Sequence, residues 1–80
     1  MADPLEQRTC QLVADVFGLA PGEVTMATTH ESIEGWDSLN MLNILMAVEG
    51  EFGVTIAPEE AAEFVSVQRI VAVLRGKNVS

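Results

Sequence analysis

The chain has 80 residues, and its twelve Asp and Glu against four Lys and Arg give a net charge of −8. A chain of this length forms one small domain, which we expect to span residues 1–80 with an ordered core from about residue 3 to about residue 76. This negative charge disfavours binding to nucleic acids and to anionic lipids, and it favours binding to proteins with basic patches. The alternative is that the acidic surface only keeps the protein soluble.

Location is suggested by three features of the sequence. The longest uncharged apolar run is far shorter than the roughly 20 residues that cross a bilayer. The segment Met1–Pro4 lacks the basic start and apolar stretch of a secretory signal. Cys10 is the only cysteine, so it cannot form an internal disulfide, and a lone thiol suits a reducing compartment. We therefore expect a cytoplasmic monomer.

The first predicted helix begins at Pro4, with Asp3 as its N-cap and Glu6 completing a capping box, and it ends at Gly18. Apolar residues recur on one face of this helix at Leu5, Thr9, Leu12, Val13, Val16 and Phe17. From Gly18 to Gly35 no period persists, which predicts a long loop. Loops of this length in small domains are commonly functional, and we expect this one to be held to the core by Leu19, Val24, Met26 and Ile33.

Three further helices are predicted after the loop. The second runs from about Asp37 to Glu51, and its inward residues are expected to be Leu39, Leu42, Leu45, Met46 and Val48. A connector, Phe52–Ile56, follows, and Pro58 starts a short third helix that reaches Phe64. Ser66 caps a fourth helix that ends at Gly76, with an apolar face of Val67, Ile70, Val71 and Leu74, and residues 77–80 form a loose tail. The pattern predicts an all-α four-helix bundle of three main helices and one short one.

The sequence gives little support for a catalytic site or a metal-binding site. A Cys/His zinc site is excluded because His30 and Cys10 are each the only residue of their type. The acids of the third helix lack EF-hand spacing and are interpreted as a solvated face. A triad of Ser38, His30 and an acid lacks a group to orient the base and an oxyanion hole. We therefore predict no catalytic residue and no metal ligand, and we interpret Trp36 as a partly buried anchor for the end of the loop.

Ser38 lies at the predicted start of the second helix, within the stretch Gly35-Trp36-Asp37-Ser38-Leu39. A serine at this place commonly caps the helix, which is the structural interpretation. The chain also resembles the acyl carrier protein family, the phosphopantetheine-binding carrier domains, over nearly its whole length. The resemblance rests on Asp37-Ser38-Leu39, followed by Leu42, Met46, Val48-Glu49, Glu51-Phe52, Ile56, Glu59-Glu60 and Ser66-Val67-Gln68.

The resemblance implies that a separate transferase moves 4'-phosphopantetheine from coenzyme A onto Ser38, beside Asp37 and Leu39. It implies a non-catalytic carrier with the acyl-carrier bundle, which holds cargo as a thioester for a loading enzyme and for downstream synthases or transferases. By position, the surface that meets these partners comprises Trp36, Asn40, Met41, Asn43, Glu59 and Glu60. Candidates to line a cargo cavity, most of which we expect to be plain core, are Leu42, Leu45, Met46, Ile56, Ala61, Ala62 and Phe64.

The second helix departs from the pattern of fatty-acid-synthesis carriers, which usually have acids after the serine. Here the matching positions are Asn40, Asn43 and Gly50, and only Glu49 and Glu51 are acidic. This difference predicts weak, less salt-sensitive docking with basic fatty-acid enzymes. It favours a discrete carrier of polyketide or other secondary metabolism. The alternatives are an aminoacyl or peptidyl carrier of a nonribosomal-type pathway and an unmodified acidic helical adaptor in which Ser38 only caps its helix.

Overall fold

The computed structural model describes residues 3–79, apart from the side chain of Pro21, and these residues form a bundle of four α-helices. A single turn of 3-10 helix lies in the first loop, and within the described residues the only β-type pairing is an isolated antiparallel bridge between Thr29 and Ser66. The predicted all-α bundle with a long first loop is confirmed. The helices are α1 (Pro4–Phe17), α2 (Ser38–Phe52), α3 (Pro58–Ala61) and α4 (Val67–Gly76).

Both predicted ends of α1 are confirmed. The Asp3 carboxylate accepts a hydrogen bond from the backbone N–H of Leu5 at 2.8 Å, and Gly18 ends the helix in the left-handed conformation at a φ of 67°. The prediction that Glu6 completes a capping box is wrong. Its carboxylate instead accepts a hydrogen bond from Arg75 of α4 at 3.1 Å. Arg75 also pairs with Asp3, so these charges join the start of α1 to the end of α4.

The core lies between α1, α2 and α4, with Phe64 from the turn after α3. Thr9 is the buried polar residue of α1, and its hydroxyl donates a hydrogen bond to the Leu5 carbonyl, so burying it leaves no unpaired group. The first loop is held down as predicted, since Val24 is buried and Leu19, Met26 and Ile33 pack against the core. The largest fully buried apolar side chains are Leu5, Val13, Ile44, Val48, Phe64, Val67, Ile70, Val71 and Leu74.

The predicted inward face of α2 is largely wrong. Val48 is buried and Leu45 partly buried, but Leu39, Leu42 and Met46 are exposed. The cause is the composition of α2, which is apolar at most positions. Two of its faces therefore have apolar residues at helical spacing, and periodicity does not indicate which of the two is buried. The stripe that packs on the core consists of Met41, Ile44, Leu45, Val48 and Phe52.

The C-terminal part differs from its prediction in two respects. α3 ends at Ala61, not Phe64, and residues 62–65 form turns. The expected loose tail is attached, because the Val79 N–H donates to the Leu74 carbonyl at 3.0 Å and Lys77 pairs with Glu60 at 2.8 Å.

Met1, Ala2 and Ser80 lie outside the described residues. The predicted connector after α2 is confirmed except for Phe52, which is the last residue of α2, and the Ser66 cap of α4 is confirmed. No helix in the described part of the chain is long and apolar enough to span a membrane.

Candidate functional site

The start of α2 is capped by Asp37, which leaves the neighbouring serine free of that role. Asp37 has extended backbone geometry, and its carboxylate accepts a hydrogen bond from the N–H of Asn40 at 3.0 Å. Ser38 is the first helical residue, its side chain is exposed, and its hydroxyl makes no hydrogen bond within residues 3–79. The interpretation of Ser38 as the cap is therefore wrong, and its hydroxyl is available for chemistry.

Two backbone donors are open beside this hydroxyl. At a helix start the first N–H groups have no partner within the helix, and here the cap occupies only that of Asn40. The N–H groups of Ser38 and Leu39 make no hydrogen bond to any described residue. Together with the positive end of the helix dipole, they favour a negative charge at this position. A phosphodiester on the serine would fit this arrangement.

The loop is bent sharply just before α2, and amide side chains hold the bend. Gly35 has a φ of 92°, a conformation that favours glycine, and its carbonyl accepts hydrogen bonds from the Asp37 N–H and from Asn40 Nδ2. Asn43 Nδ2 donates in turn to Asn40 Oδ1 at 3.1 Å. The two asparagines that we predicted as partner contacts therefore also fix the end of the loop.

Trp36 is a buried anchor and does not belong to a partner surface. Only 5% of its surface is exposed, its Nε1–H donates to the carbonyl of Phe64 at 3.2 Å, and its ring lies 5.7 Å from that of Phe17. The prediction of an anchor is confirmed, and burial is more complete than expected. The prediction of Trp36 as a partner contact is wrong, because a partner cannot reach a side chain that packs in the core.

His30 is bound to the backbone, away from any triad. Its Nδ1 lies 3.1 Å from the carbonyl oxygen of Val65, to which its own N–H also donates at 2.8 Å. Within the described residues it has no hydrogen bond to Ser38 or to a carboxylate. His30 thus holds the first loop to the segment before α4, beside the bridge of Thr29 and Ser66.

An apolar pocket of about 270 Å³ opens beside Ser38, between α2 and α3. Of the seven cavity candidates, four line it, while Ile56 and Phe64 are buried core and Met46 faces solvent. A larger open groove of about 580 Å³ lies between α1 and α2, but it is bordered by polar residues such as Gln7 and Gln11 and does not include Ser38. The smaller pocket is the one relevant to chemistry at the serine. Its lining is Ser38, Met41, Leu42, Leu45, Pro58, Ala61 and Ala62.

The remaining predicted partner residues differ in availability. Met41 is half-buried in the pocket wall, and Glu59 is exposed on α3. Glu60 accepts hydrogen bonds from Lys77 and from the N–H of Ala57, which together hold the pKa of its carboxyl below the usual value. Glu60 thus holds α3 to the C-terminal segment, and its role as a partner contact stays a prediction.

Sequence reasoning missed two elements of this region. Pro58 lines the pocket as the first residue of α3, and only its proximity to the serine in the fold reveals this. The exposure of Leu42 and Met46 was missed because the wrong face of α2 was assigned to the core. Among residues 3–79, no cluster of three or more His, Cys, Asp or Glu side chains is arranged to bind a metal.

The chain matches a protein-family model over most of its length. The model of the family described as "phosphopantetheine attachment site" matches residues 7–74, which includes all four helices except the first turn of α1 and the last residues of α4. Domains of this family attach 4'-phosphopantetheine covalently and are carriers without catalysis of their own.

Proposed function

Because this chain belongs to the phosphopantetheine-binding carrier domains, we propose that Ser38 is its attachment residue. The observation that carries the proposal is the state of the Ser38 hydroxyl, which is exposed and not engaged in capping, since Asp37 caps α2. The open N–H groups of Ser38 and Leu39 support it, because they favour the single negative charge of a phosphodiester.

Attachment requires a proton acceptor, and residues 3–79 place none at the Ser38 hydroxyl. One bond forms between Ser38 Oγ and the pantetheine-linked phosphorus of the coenzyme A diphosphate, and the phosphoanhydride bond breaks, which releases adenosine 3',5'-bisphosphate. The serine proton must go to a base, and no described residue is hydrogen-bonded to the hydroxyl. We therefore assign the base and the metal to the phosphopantetheinyl transferase, as expected for an unactivated alcohol.

The attached arm supplies a terminal thiol for a thioester, and this chain's residues then determine where cargo can rest. The pocket between α2 and α3 begins at Ser38 and is apolar, with Leu42, Leu45 and Ala61 in its wall. A covalent tether keeps cargo at high effective concentration near this pocket and near each partner enzyme. The partners in this proposal are the transferase, a loading enzyme and downstream synthases or transferases, and the carrier acts as a cytoplasmic monomer.

The pathway we propose is polyketide or other secondary metabolism, with an aminoacyl carrier as the alternative. The support comes from α2, whose two carboxylates are both engaged within the chain. Glu49 accepts a hydrogen bond from the Ile56 N–H at 2.8 Å, and Glu51 pairs with Arg8 at 2.9 Å. Basic fatty-acid enzymes would find no free acid on this helix. Efficient loading by a fatty-acid malonyl transferase, with a rate that falls steeply with salt, would contradict this assignment.

Intact-mass measurement tests the attachment site. The apo protein is incubated with coenzyme A and a broad-specificity phosphopantetheinyl transferase, and we expect the mass of one phosphopantetheinyl group to be added. Ser38→Ala should gain nothing. Ser32→Ala, which removes a serine from the first loop, is the matched control and should load normally. No gain by the wild type would contradict the proposal, and a gain by Ser38→Ala would place the attachment elsewhere.

A further inference from the structure

Hydrogen bonds connect the residues before Ser38 with a residue after it. The backbone N–H of Asn40 donates to the Asp37 carboxylate at 3.0 Å, and Nδ2 of the same asparagine donates to the Gly35 carbonyl. The Asp37 N–H donates to this carbonyl as well, at 2.8 Å. Gly35, Asp37 and Asn40, which we term the clasp, therefore enclose Ser38 in a short network of hydrogen bonds.

The direction of the Asn40 amide is set by Asn43. Asn43 Nδ2 donates to Asn40 Oδ1 at 3.1 Å, so the oxygen of the Asn40 amide faces Asn43 and its nitrogen faces Gly35. A β-carbon on Gly35 would lie 4.0 Å from Asn40 Nδ2, which shows how closely this side chain covers the glycine. Because a backbone carbonyl only accepts hydrogen bonds, the contact requires a donor at position 40. A carboxylate there cannot make it.

The clasp bears on chemistry because the Ser38 hydroxyl makes no hydrogen bond within residues 3–79. The position of this hydroxyl therefore depends on the backbone on either side of it. After the serine the backbone belongs to α2, and before it the buried indole of Trp36 anchors the loop. The clasp is the set of contacts that holds the turn at Gly35 against the first turn of α2.

We propose that Asn40 is a positioning residue for phosphopantetheinyl transfer, and that its side-chain amide acts through the Gly35 turn to present the Ser38 hydroxyl in one orientation. This inference rests on the proposed attachment at Ser38. Asn40 touches neither coenzyme A nor the reacting oxygen. An oriented nucleophile reacts faster, because less freedom of motion is lost on the way to the transition state. One hydrogen bond of this kind should change the rate of loading about fivefold.

Asn40→Asp distinguishes positioning from direct contact with the transferase, because the two roles predict opposite results. The substitution keeps the shape of the side chain but replaces the donor with an oxygen that repels the Gly35 carbonyl. If Asn40 only faced a basic partner surface, the added negative charge would maintain or raise kcat/KM. The positioning role predicts that kcat/KM for loading by a broad-specificity transferase with coenzyme A falls about fivefold. Asn40→Ala, which also lacks the donor, should behave in the same way.

Gly50→Asp is the matched charge control. It adds the same charge to α2 at a position where a β-carbon meets no described atom within 4 Å, and it leaves the clasp intact. We expect its kcat/KM not to fall below that of the wild type. An acid in the first turn of a helix is favoured by the helix dipole, so Asn40→Asp should not lower the urea midpoint of unfolding either. Slower loading without loss of stability is the combination that a purely structural role would not produce.

Relaxation of ¹⁵N nuclei in the apo protein measures the clasp without the transferase. In Asn40→Asp the amides of Gly35, Trp36 and Asp37 should gain motion, whereas those of α4 should match the wild type. Unchanged relaxation in the loop would overturn the inference, because the amide would then not hold the turn.

The end point of loading separates this inference from the function on which it rests. With excess transferase and long incubation, the wild type and every variant should gain one phosphopantetheinyl group. Failure of the wild type to gain it would contradict the proposed function. Complete loading of the wild type, together with an Asn40→Asp variant that loads as fast or faster, would overturn only the positioning role.

Discussion

The indole Nε1–H of Trp36 donates a hydrogen bond to the backbone carbonyl of Phe64, 3.2 Å away inside the core. This bond joins the end of the first loop to the turn between α3 and α4. Only Asp37 separates Trp36 from Ser38, so the serine begins α2 directly beside a buried anchor. The position of the exposed hydroxyl is thereby fixed by the core, although the hydroxyl itself makes no hydrogen bond within residues 3–79.

Trp36→Phe tests this anchor. The substitution keeps an aromatic ring but removes the donor, so the buried Phe64 carbonyl loses its partner at a cost of about 1–3 kcal/mol. We expect a lower free energy of unfolding in urea and slower loading of Ser38 by the transferase. An unfolding free energy equal to that of the wild type would show that the hydrogen bond does not hold the loop.

Asp37→Ala removes the cap of α2, and Asp37→Asn retains an acceptor for the Asn40 N–H. We expect Asp37→Ala to cost about 1 kcal/mol of unfolding free energy and Asp37→Asn considerably less. Thermal or urea unfolding followed by circular dichroism measures both. Equal destabilisation by the two variants would indicate that the charge of Asp37, not its capping bond, is what stabilises the helix start.

The orientation of α2 can be tested by comparing Ile44→Ala with Met46→Ala. Ile44 is fully buried, so its truncation leaves a cavity and should cost about 2–5 kcal/mol. Met46 is exposed and alanine is an excellent helix former, so Met46→Ala should change stability by less than about 1 kcal/mol. Chemical denaturation of the two variants gives the answer. If Met46→Ala were the more destabilising, the orientation of α2 would be the one that its leucines first suggested.

Acid should weaken the link between α3 and the C-terminal segment. The Lys77 side chain and the Ala57 N–H hold the pKa of Glu60 below its usual value, so the folded state binds fewer protons here than the unfolded state. The stability that this shift provides is present at neutral pH. It is lost as the pH falls below about 4.5, the ordinary pKa of a glutamate, and through the lower pKa that Glu60 has in the folded state.

A double-mutant cycle measures this link. The coupling between Glu60→Gln and Lys77→Gln in the unfolding free energy should be detectable at about pH 7 and should shrink as the pH falls below 4.5. Asp3 behaves in the same direction, because the Leu5 N–H and Arg75 lower the pKa of its carboxyl. A coupling that does not change with pH would rule out the ion pair as its source.

Local signals determine how much of this fold can be predicted. Asp3, Pro4 and Gly18 delimit α1, and the buried residues of α4 share one face, so both helices follow from capping and periodicity. The buried face of α2 does not, because its sequence is apolar all round and the packing of Trp36 and Ile44 decides the orientation.

The candidate site likewise has residues that the sequence indicates and contacts that it does not. The sequence indicates Ser38 and Asp37, because a helix start and a family motif are both local patterns. The contacts that position them are long-range: Trp36 with Phe64, and His30 with Val65. Neither pairing has a signal in a single sequence. The sequence therefore predicts an anchor at Trp36 without its partner, and the family position predicts a partner contact that the burial of Trp36 contradicts.

Localisation of the modification by tandem mass spectrometry tests the central claim most directly. The transferase-treated wild-type protein is fragmented, and the fragments on either side of residue 38 are compared. We predict that the phosphopantetheinyl mass appears in every fragment that contains Ser38 and in none that lacks it. Attachment at another residue, or an unmodified Ser38 after complete reaction, would contradict the account.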